Sequence, residues 1–456
     1  MLEIYIFYSK YLFLWLLLVF LFLSFSGLYE QKQGNFNVAK KKMYRQRWVI
    51  VGIHLNAFMI LSIDKGNLLI NWTSVYIGIG MLVFLCLGWI IFDIRFNKED
   101  GFLWNCVFLL LVLSIILLQR LSPSLAQRQL VWIYISFTLS IFISHFFGAF
   151  SYLKKGSTIY LVIGWILLIL PFFLGEKRYG ANNWVEIGKI SFQPSEIVKM
   201  VMIFYLASVF HTKKSIKQLV YPTAMIAGYV CILVLQRDLG GAFIYFMTFL
   251  SLLYISIGKE VIFLGGVGLA SVASIFAYRI FPHVQVRVEA WLNPWKNIDS
   301  RGYQIAQSLF ALGSWGWMGS GLTKGYAGYV PAVTTDFIFA ALCEEFGSLF
   351  GIGVIIVFIL MLVLSTQIII ETKDTFHALI GAGCISIFSF QSFLILGGVL
   401  KMIPLTGVTL PFVSYGGSSM FINMFMFKFI QWIGIEKELS GESRGKEVEE
   451  HSKKHT

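Results

Sequence analysis

The stretch "VPAVTTDFIFAALCEEFGSLFGIGVIIVFILMLVLST" (330–366) sets an acid, Asp336, before a long apolar run and two more, Glu344 and Glu345, inside it. A helix crosses a bilayer with roughly 20 mainly apolar residues, and 337–366 is long enough to do so. Acids inside such a run are costly unless something pairs or uses them. Outward from it the same apolar pattern recurs near 5–28, 48–63, 72–93, 104–120, 130–150, 158–175, 195–210, 218–236, 240–257, 260–280, 376–400 and 411–433, making thirteen expected spans. The chain is 57% hydrophobic and 13% charged, against about a quarter charged in soluble domains. It is expected to be an all-α polytopic membrane protein. The first run is longer than a signal-peptide core and lacks a small-x-small cleavage site, so it counts as a span.

The net charge of +12 is a matter of topology. "KKKMYRQR" (40–47), "LKKGS" (153–157), "HTKKSIK" (211–217), "GKE" (258–260), "ETKD" (371–374) and the charged tail all fall on one side of a thirteen-span chain. The positive-inside bias makes that side cytoplasmic, with the N-terminus outside and the C-terminus inside. Arg120 and Arg128, in "RLSPSLAQRQ", run against the bias. A nucleic-acid partner has little support, and membrane lipid is the expected surroundings. The five cysteines show no CxxC spacing and the seven histidines no HExxH, so neither a disulfide framework nor a histidine-ligated metal is indicated. After about 434 the chain is charged, nearly non-aromatic and expected to be flexible.

The other side collects the polar, Gly-, Pro- and aromatic-bearing segments: 176–194, "QRDLGGA" (236–242), 281–335 and "MIPLTGVTLPFVSYGGSS" (402–419). Asp336 suits either a helix start, favoured by the helix dipole, or a general base at the membrane–water boundary whose proton affinity is raised by partial desolvation. Glu344 and Glu345, two turns deeper, read as ion-pair partners for basic residues. In "QPSEIVKM" (193–200), Pro194 suits a helix start and Glu196 and Lys199 share one helix face. They form either a local pair or, through Lys199, a tie to an acid on another helix. "YQIAQSLFAL" (303–312) has the pattern of an interfacial amphipathic helix. "GSWGWMGSGLTKG" lacks the phosphate-loop spacing. Arg301 and Lys324 are either phosphate holders or solvated charges.

"GANNW…QPSEIVKM", "QRDLGGA", "NPW…GYQIAQSL…GSG", "VPAVTTDFIF…EEFG" and "LPFVSYGGSS" occur in that order. Together they resemble the SEDS family (shape, elongation, division and sporulation), the FtsW, RodA and SpoVE proteins of bacteria. The resemblance implies a ten-helix core over 104–433, with large extracellular loop 281–335. It leaves 1–103 as an N-terminal addition of about three spans and 434–456 as a cytoplasmic tail. It also implies a glycosyltransferase of the cytoplasmic membrane that polymerises lipid II at the outer face in division, elongation or sporulation, beside a class B penicillin-binding protein. The family's essential acid carries over to Asp336, its Glu–Lys motif to Glu196 and Lys199, its motif tryptophan, as a substrate or pyrophosphate contact, to Trp184, and the acid of its "DLG" turn to Asp238, which the resemblance places with Glu196, Lys199, Glu344 and Glu345 in a structural ion-pair network. The sequence departs from the family pattern at Asn183, Arg237, Asn297 and Ala332, which bear on substrate-side contacts.

In that reaction a pyrophosphate leaves and calls for cations rather than an acid. Arg287, Arg301 and Lys324 are candidates by their position in the outer loop, with a divalent cation (Mg or Mn) as the alternative. A lipid II flippase and a non-catalytic scaffold for the penicillin-binding protein are the rival readings. A flippase would use Lys199, Glu344 and Glu345, but the concentration of unusual residues on one side favours the enzyme.

Overall fold

The computed structural model of the chain describes residues 2–64, 69–95, 101–144, 154–178, 181–188, 190–212, 216–298, 300 and 302–454. Its helices are, in order, α1 (Leu2–Lys32), α2 (Phe36–Leu61), α3 (Trp72–Arg95), α4 (Gly101–Leu121), α5 (Pro123–Ser144), α6 (Ser157–Leu174), α7 (Pro194–Phe210), α8 (Ile216–Leu235), α9 (Leu239–Ile257), α10 (Glu260–Ile280), α11 (Pro282–Leu292), α12 (Tyr303–Gly313), α13 (Ile338–Phe346), α14 (Ser348–Ile370), α15 (Thr375–Val399) and α16 (Gly417–Lys454). Among the described residues nine of these (α1, α3, α4, α6, α8, α9, α10, α14 and α15) are long and apolar enough to cross a membrane. The chain is a multi-pass helical membrane protein.

Four of the thirteen expected spans are helical but less apolar or shorter. Helix α2 begins in the Lys- and Arg-rich segment, α5 in "PSLAQRQ", and α7 has 17 residues and opens on "PSEIVK". Helix α16 carries Asn423, Lys428 and Gln431 among its apolar residues. The span expected at 337–366 is two helices. Gly347 ends α13 at φ +97°, and a Cβ there would stand 2.3 Å from the carbonyl oxygen of Trp317, so only glycine fits. Glu344 and Glu345 thus lie at the end of a nine-residue helix rather than deep in a span.

Regular secondary structure also runs through two expected loops and into the tail. Segment 176–194 contributes to a three-stranded antiparallel sheet of β1 (Gly175–Arg178), β2 (Ala181–Ile187) and β3 (Ile190–Phe192), in the order β1-β2-β3. Loop 281–335 contains α12, where an amphipathic helix was expected over 303–312, and also α11, which was not expected. Helix α16 runs into the tail as far as Lys454, where Glu, Lys and Arg are good helix formers.

The chain divides into two compact units. The first comprises Met1–Tyr134, Ala270–Met361 and Gln391–Met420; the second comprises Ile135–Leu269, Leu362–Phe390 and Phe421–Thr456. Lipid tails are as apolar as leucine, so helices in a membrane associate through close packing and internal hydrogen bonds. The first unit shows both. Residues Phe102 to Gln119 of α4 are all buried. A Cβ on Gly27 would lie 2.2 Å from the Phe102 ring, so α1 and α4 meet where glycine permits it. Asn105 donates to the side chain of Gln46 and to the Met43 carbonyl, each at 3.0 Å. Arg47 grips Asp93 through two bonds of 2.6 and 2.7 Å. The three N-terminal helices are therefore built into this unit. In the second unit Tyr229 donates to the Leu161 carbonyl and Gln236 to that of Leu168, one turn before Pro171 in α6.

Candidate active site

Asp336 stands between spans, in the turn that leads into α13. Ala332 shapes that turn: at φ +54° its carbonyl accepts from the backbone N–H groups of Thr335, Asp336 and Phe337 at 3.1, 3.0 and 3.3 Å. A non-glycine residue rarely adopts this backbone, and here it gathers three donors. The turn is fixed from a second side by the "SYGGSS" segment. The N–H of Tyr415 donates to the Thr334 carbonyl at 2.9 Å, and the Ser414 hydroxyl to that of Thr335. Gln129 of α5 donates to the Ser414 carbonyl at 3.1 Å.

The Asp336 carboxyl is half-buried. Burial pushes its pKa up from 3.8 to about 6, against the opposing pull of the Thr335 hydroxyl and the Arg287 charge. Arg287, from α11, donates to the Thr406 carbonyl at 3.1 Å. Gly407, at φ +76°, lies next to both groups: a Cβ built on it would stand 3.6 Å from an Arg287 guanidinium nitrogen and 3.6 Å from an Asp336 carboxyl oxygen. An acid that can ionise near neutrality and a guanidinium therefore flank one glycine. Such an arrangement can accept a proton and steady a nearby anion. Among the described residues no three His, Cys, Asp or Glu side chains gather where they could hold a metal.

The other sequence candidates divide between the two units. Lys324 does not join Arg287; its ammonium is paired with Glu3 of α1. Arg301 lies outside the described residues. Glu345 pairs with Arg120 of α4 at 3.0 Å and accepts from the Thr323 N–H at 3.1 Å, while Glu344 accepts from the Tyr326 N–H at 2.8 Å. In the second unit, buried Lys199 reaches Glu196 at 2.7 Å across three residues of α7. Asp238 was expected in an ion-pair network, but the hydrogen bonds it makes come from neutral groups. Asn183 and Gln193 donate to one oxygen at 2.9 and 3.0 Å, and the Gly241 N–H donates to the other at 2.8 Å, capping α9. Asn183 is itself one of the sequence departures. Trp184 neighbours it on β2, in register with Glu176 of β1. Sequence reasoning missed Arg120, Thr335, Gly407 and Ser414. The position of Arg120 against the positive-inside bias was a signal that could have found it.

The family model for the FtsW, RodA and SpoVE cell cycle proteins matches residues 102–439. The peptidoglycan glycosyltransferase RodA of Mycobacterium tuberculosis is 30% identical over 379 residues, covering 76% of this chain and 81% of the relative. A probable peptidoglycan glycosyltransferase FtsW of Wigglesworthia glossinidia brevipalpis is 34% identical, covering 65% of this chain and 80% of the relative. The fold matches a chain in the solved structure of a peptidoglycan synthase complex with a TM-score of 0.60 at 22% identity, covering 74% of this chain and 97% of that one. On these matches the chain belongs to the FtsW/RodA/SpoVE family of cell cycle proteins.

Proposed function

We propose that the chain is a peptidoglycan glycosyltransferase that polymerises lipid II into glycan strands at the outer face of the bacterial cytoplasmic membrane. The single observation that carries the site assignment is Asp336, an acid whose pKa is raised to about 6 beside Arg287. The sugar 4-hydroxyl of the acceptor gives its proton to the Asp336 carboxylate as its oxygen attacks the anomeric carbon of the donor. The bond from that carbon to the lipid pyrophosphate breaks, and the pyrophosphate leaves as an anion. A glycosidase usually needs a second carboxyl group to protonate a leaving alcohol. A pyrophosphate needs positive charge instead, and Arg287 supplies it. The outer-face orientation rests on the Lys and Arg bias of the short loops. The relative found in a synthase complex that coordinates polymerization and crosslinking supports a class B penicillin-binding protein as the partner.

The test is labelled lipid II with purified protein. Wild type is expected to make glycan polymer when assayed together with the partner. Translocation in liposomes without polymer would overturn the enzyme reading in favour of a flippase. Neither activity, with partner binding intact, would leave a scaffold.

A further inference from the structure

Asp336 sits in a closed loop of the first unit whose neck is tied by backbone bonds. The N–H groups of Ser320 and Gly321 donate to the carbonyls of Glu344 and Glu345, each at 2.9 Å, and the Leu349 N–H donates to the Trp317 carbonyl at 3.2 Å. Gly319, at φ +70°, packs so tightly against this crossing that a Cβ would meet the Gly347 nitrogen at 2.4 Å. From the neck, 321–326 folds over the end of α13. Its amides reach the Glu344 and Glu345 carboxylates, and Arg120 bonds both Glu345 and the Gly325 carbonyl, the latter at 3.2 Å. The acid pair is thus the inner wall of the neck. The tip that carries Asp336 is joined to this neck through the loop and is bonded in addition by Ser414 and Tyr415.

Helix α1 lies along this neck. Ile6, fully buried, stands where a Cβ on Gly321 would meet its methyl at 2.9 Å. The Phe13 ring packs edge-on against Phe346 at 4.9 Å, and Leu17 fills the space over Gly353. Two polar contacts finish the seam: Lys10 donates to the Gly319 carbonyl at 3.2 Å, and Glu3 pairs with Lys324. Each contact falls on the neck or on the helix ends it joins. We infer that Glu3 and Lys10 of α1 are positioning residues for the transferase reaction, clamping the neck of the loop that presents Asp336. A site loop works when a rigid scaffold sets its geometry, and misplacing reacting groups by about 1 Å costs on the order of 10²-fold in rate. Lys324 then serves the clamp and not the substrate.

The inference rests on the glycosyltransferase reading, and its test separates the two. In the full chain, Glu3→Lys and Lys10→Met are expected to lower kcat about fivefold, the scale an exposed ion pair supports. KM for lipid II should hold steady and the melting temperature should be unchanged. Glu3→Lys combined with Lys324→Glu should restore kcat, because the pair is re-formed with its charges exchanged. Amide hydrogen exchange over 319–326 should quicken in the single variants and recover in the double. A rise in KM alone, a double variant as inactive as Lys324→Glu, or unchanged exchange in the single variants would overturn the clamp. If wild type makes no glycan, the transferase reading fails, while the exchange measurement still decides whether α1 holds the neck.

Discussion

Asp336 and Glu196 are both acids at the start of helices, yet their surroundings balance their charges in opposite ways. Glu196 is buried with a lysine at 2.7 Å on its own helix. Its charge is answered locally, and the pair makes two ionised groups tolerable in an apolar bundle. Asp336 is half-buried, and the cation near it is engaged with the Thr406 carbonyl. Burial outweighs compensation there, and the pKa rises. An acid whose charge is matched holds structure; an acid whose charge is undermatched is available for chemistry.

The largest effects test that contrast directly. Asp336→Asn keeps the shape and removes the base. Polymerisation is expected to fall by about 10²–10⁴, with the melting temperature in detergent unchanged. Lys199→Met should do the reverse. It leaves Glu196 buried without its cation, at a cost of ~3–5 kcal/mol, so thermal unfolding should drop sharply, and Glu196→Gln in the same chain should recover part of the loss. A stable Lys199→Met protein that cannot polymerise would place this pair among the chemical residues and break the comparison.

Arg287 sharpens it next. Wild-type kcat/KM should fall as pH drops through about 6, because the base works only when ionised. The same raised pKa acts on stability with the opposite sign. The folded chain holds the Asp336 proton more tightly than the unfolded chain, so this group's contribution is present at low pH and is lost as pH rises from about 4 to about 6. Arg287 pulls the pKa down, so Arg287→Gln should move the acid limb of the rate profile to higher pH. It should also lower kcat about 10²-fold, the usual scale for removing one group that stabilises a developing anion. A pH–rate profile of both proteins reads the two effects together. An unmoved limb would mean that the guanidinium does not act on this acid.

The spans were legible in the sequence because apolar length is a local signal, and Asp336 was singled out there because a charge before an apolar run is another. The break at Gly347 was not: glycine is common in apolar runs, and what forces the break is Trp317, thirty residues earlier. The sheet was hidden for a related reason. Its strands are short, and polar residues such as Asn183 sit in them to meet Asp238 rather than to alternate with apolar neighbours. Arg120 was visible as an exception to the charge bias, but its partner Glu345 lies 225 positions away. Lys324 was misleading for the same cause, since Glu3 is 321 positions from it. Charges can be found locally, but their partners are set by the fold.

The smallest expected effect concerns Asp238, a motif acid with the bonding of a structural one. It caps α9 through the Gly241 N–H and holds β2 through Asn183. Its three partners are neutral donors, so both of its oxygens are satisfied without a cation beside it, where Glu196 relies on the charge of Lys199. Asp238→Ala should remove the cap at a cost of ~1 kcal/mol, read as a modest drop in melting temperature. The rate per folded molecule should stay near wild type. Asp238→Asn should lose less, because one amide oxygen can still accept from Gly241, while the amide nitrogen faces the donors of Asn183 and Gln193. If instead Asp238→Asn stopped polymerisation in a chain of wild-type stability, the neutral bonding around this acid would be a substrate site at rest, and matched charge would no longer separate structural acids from working ones.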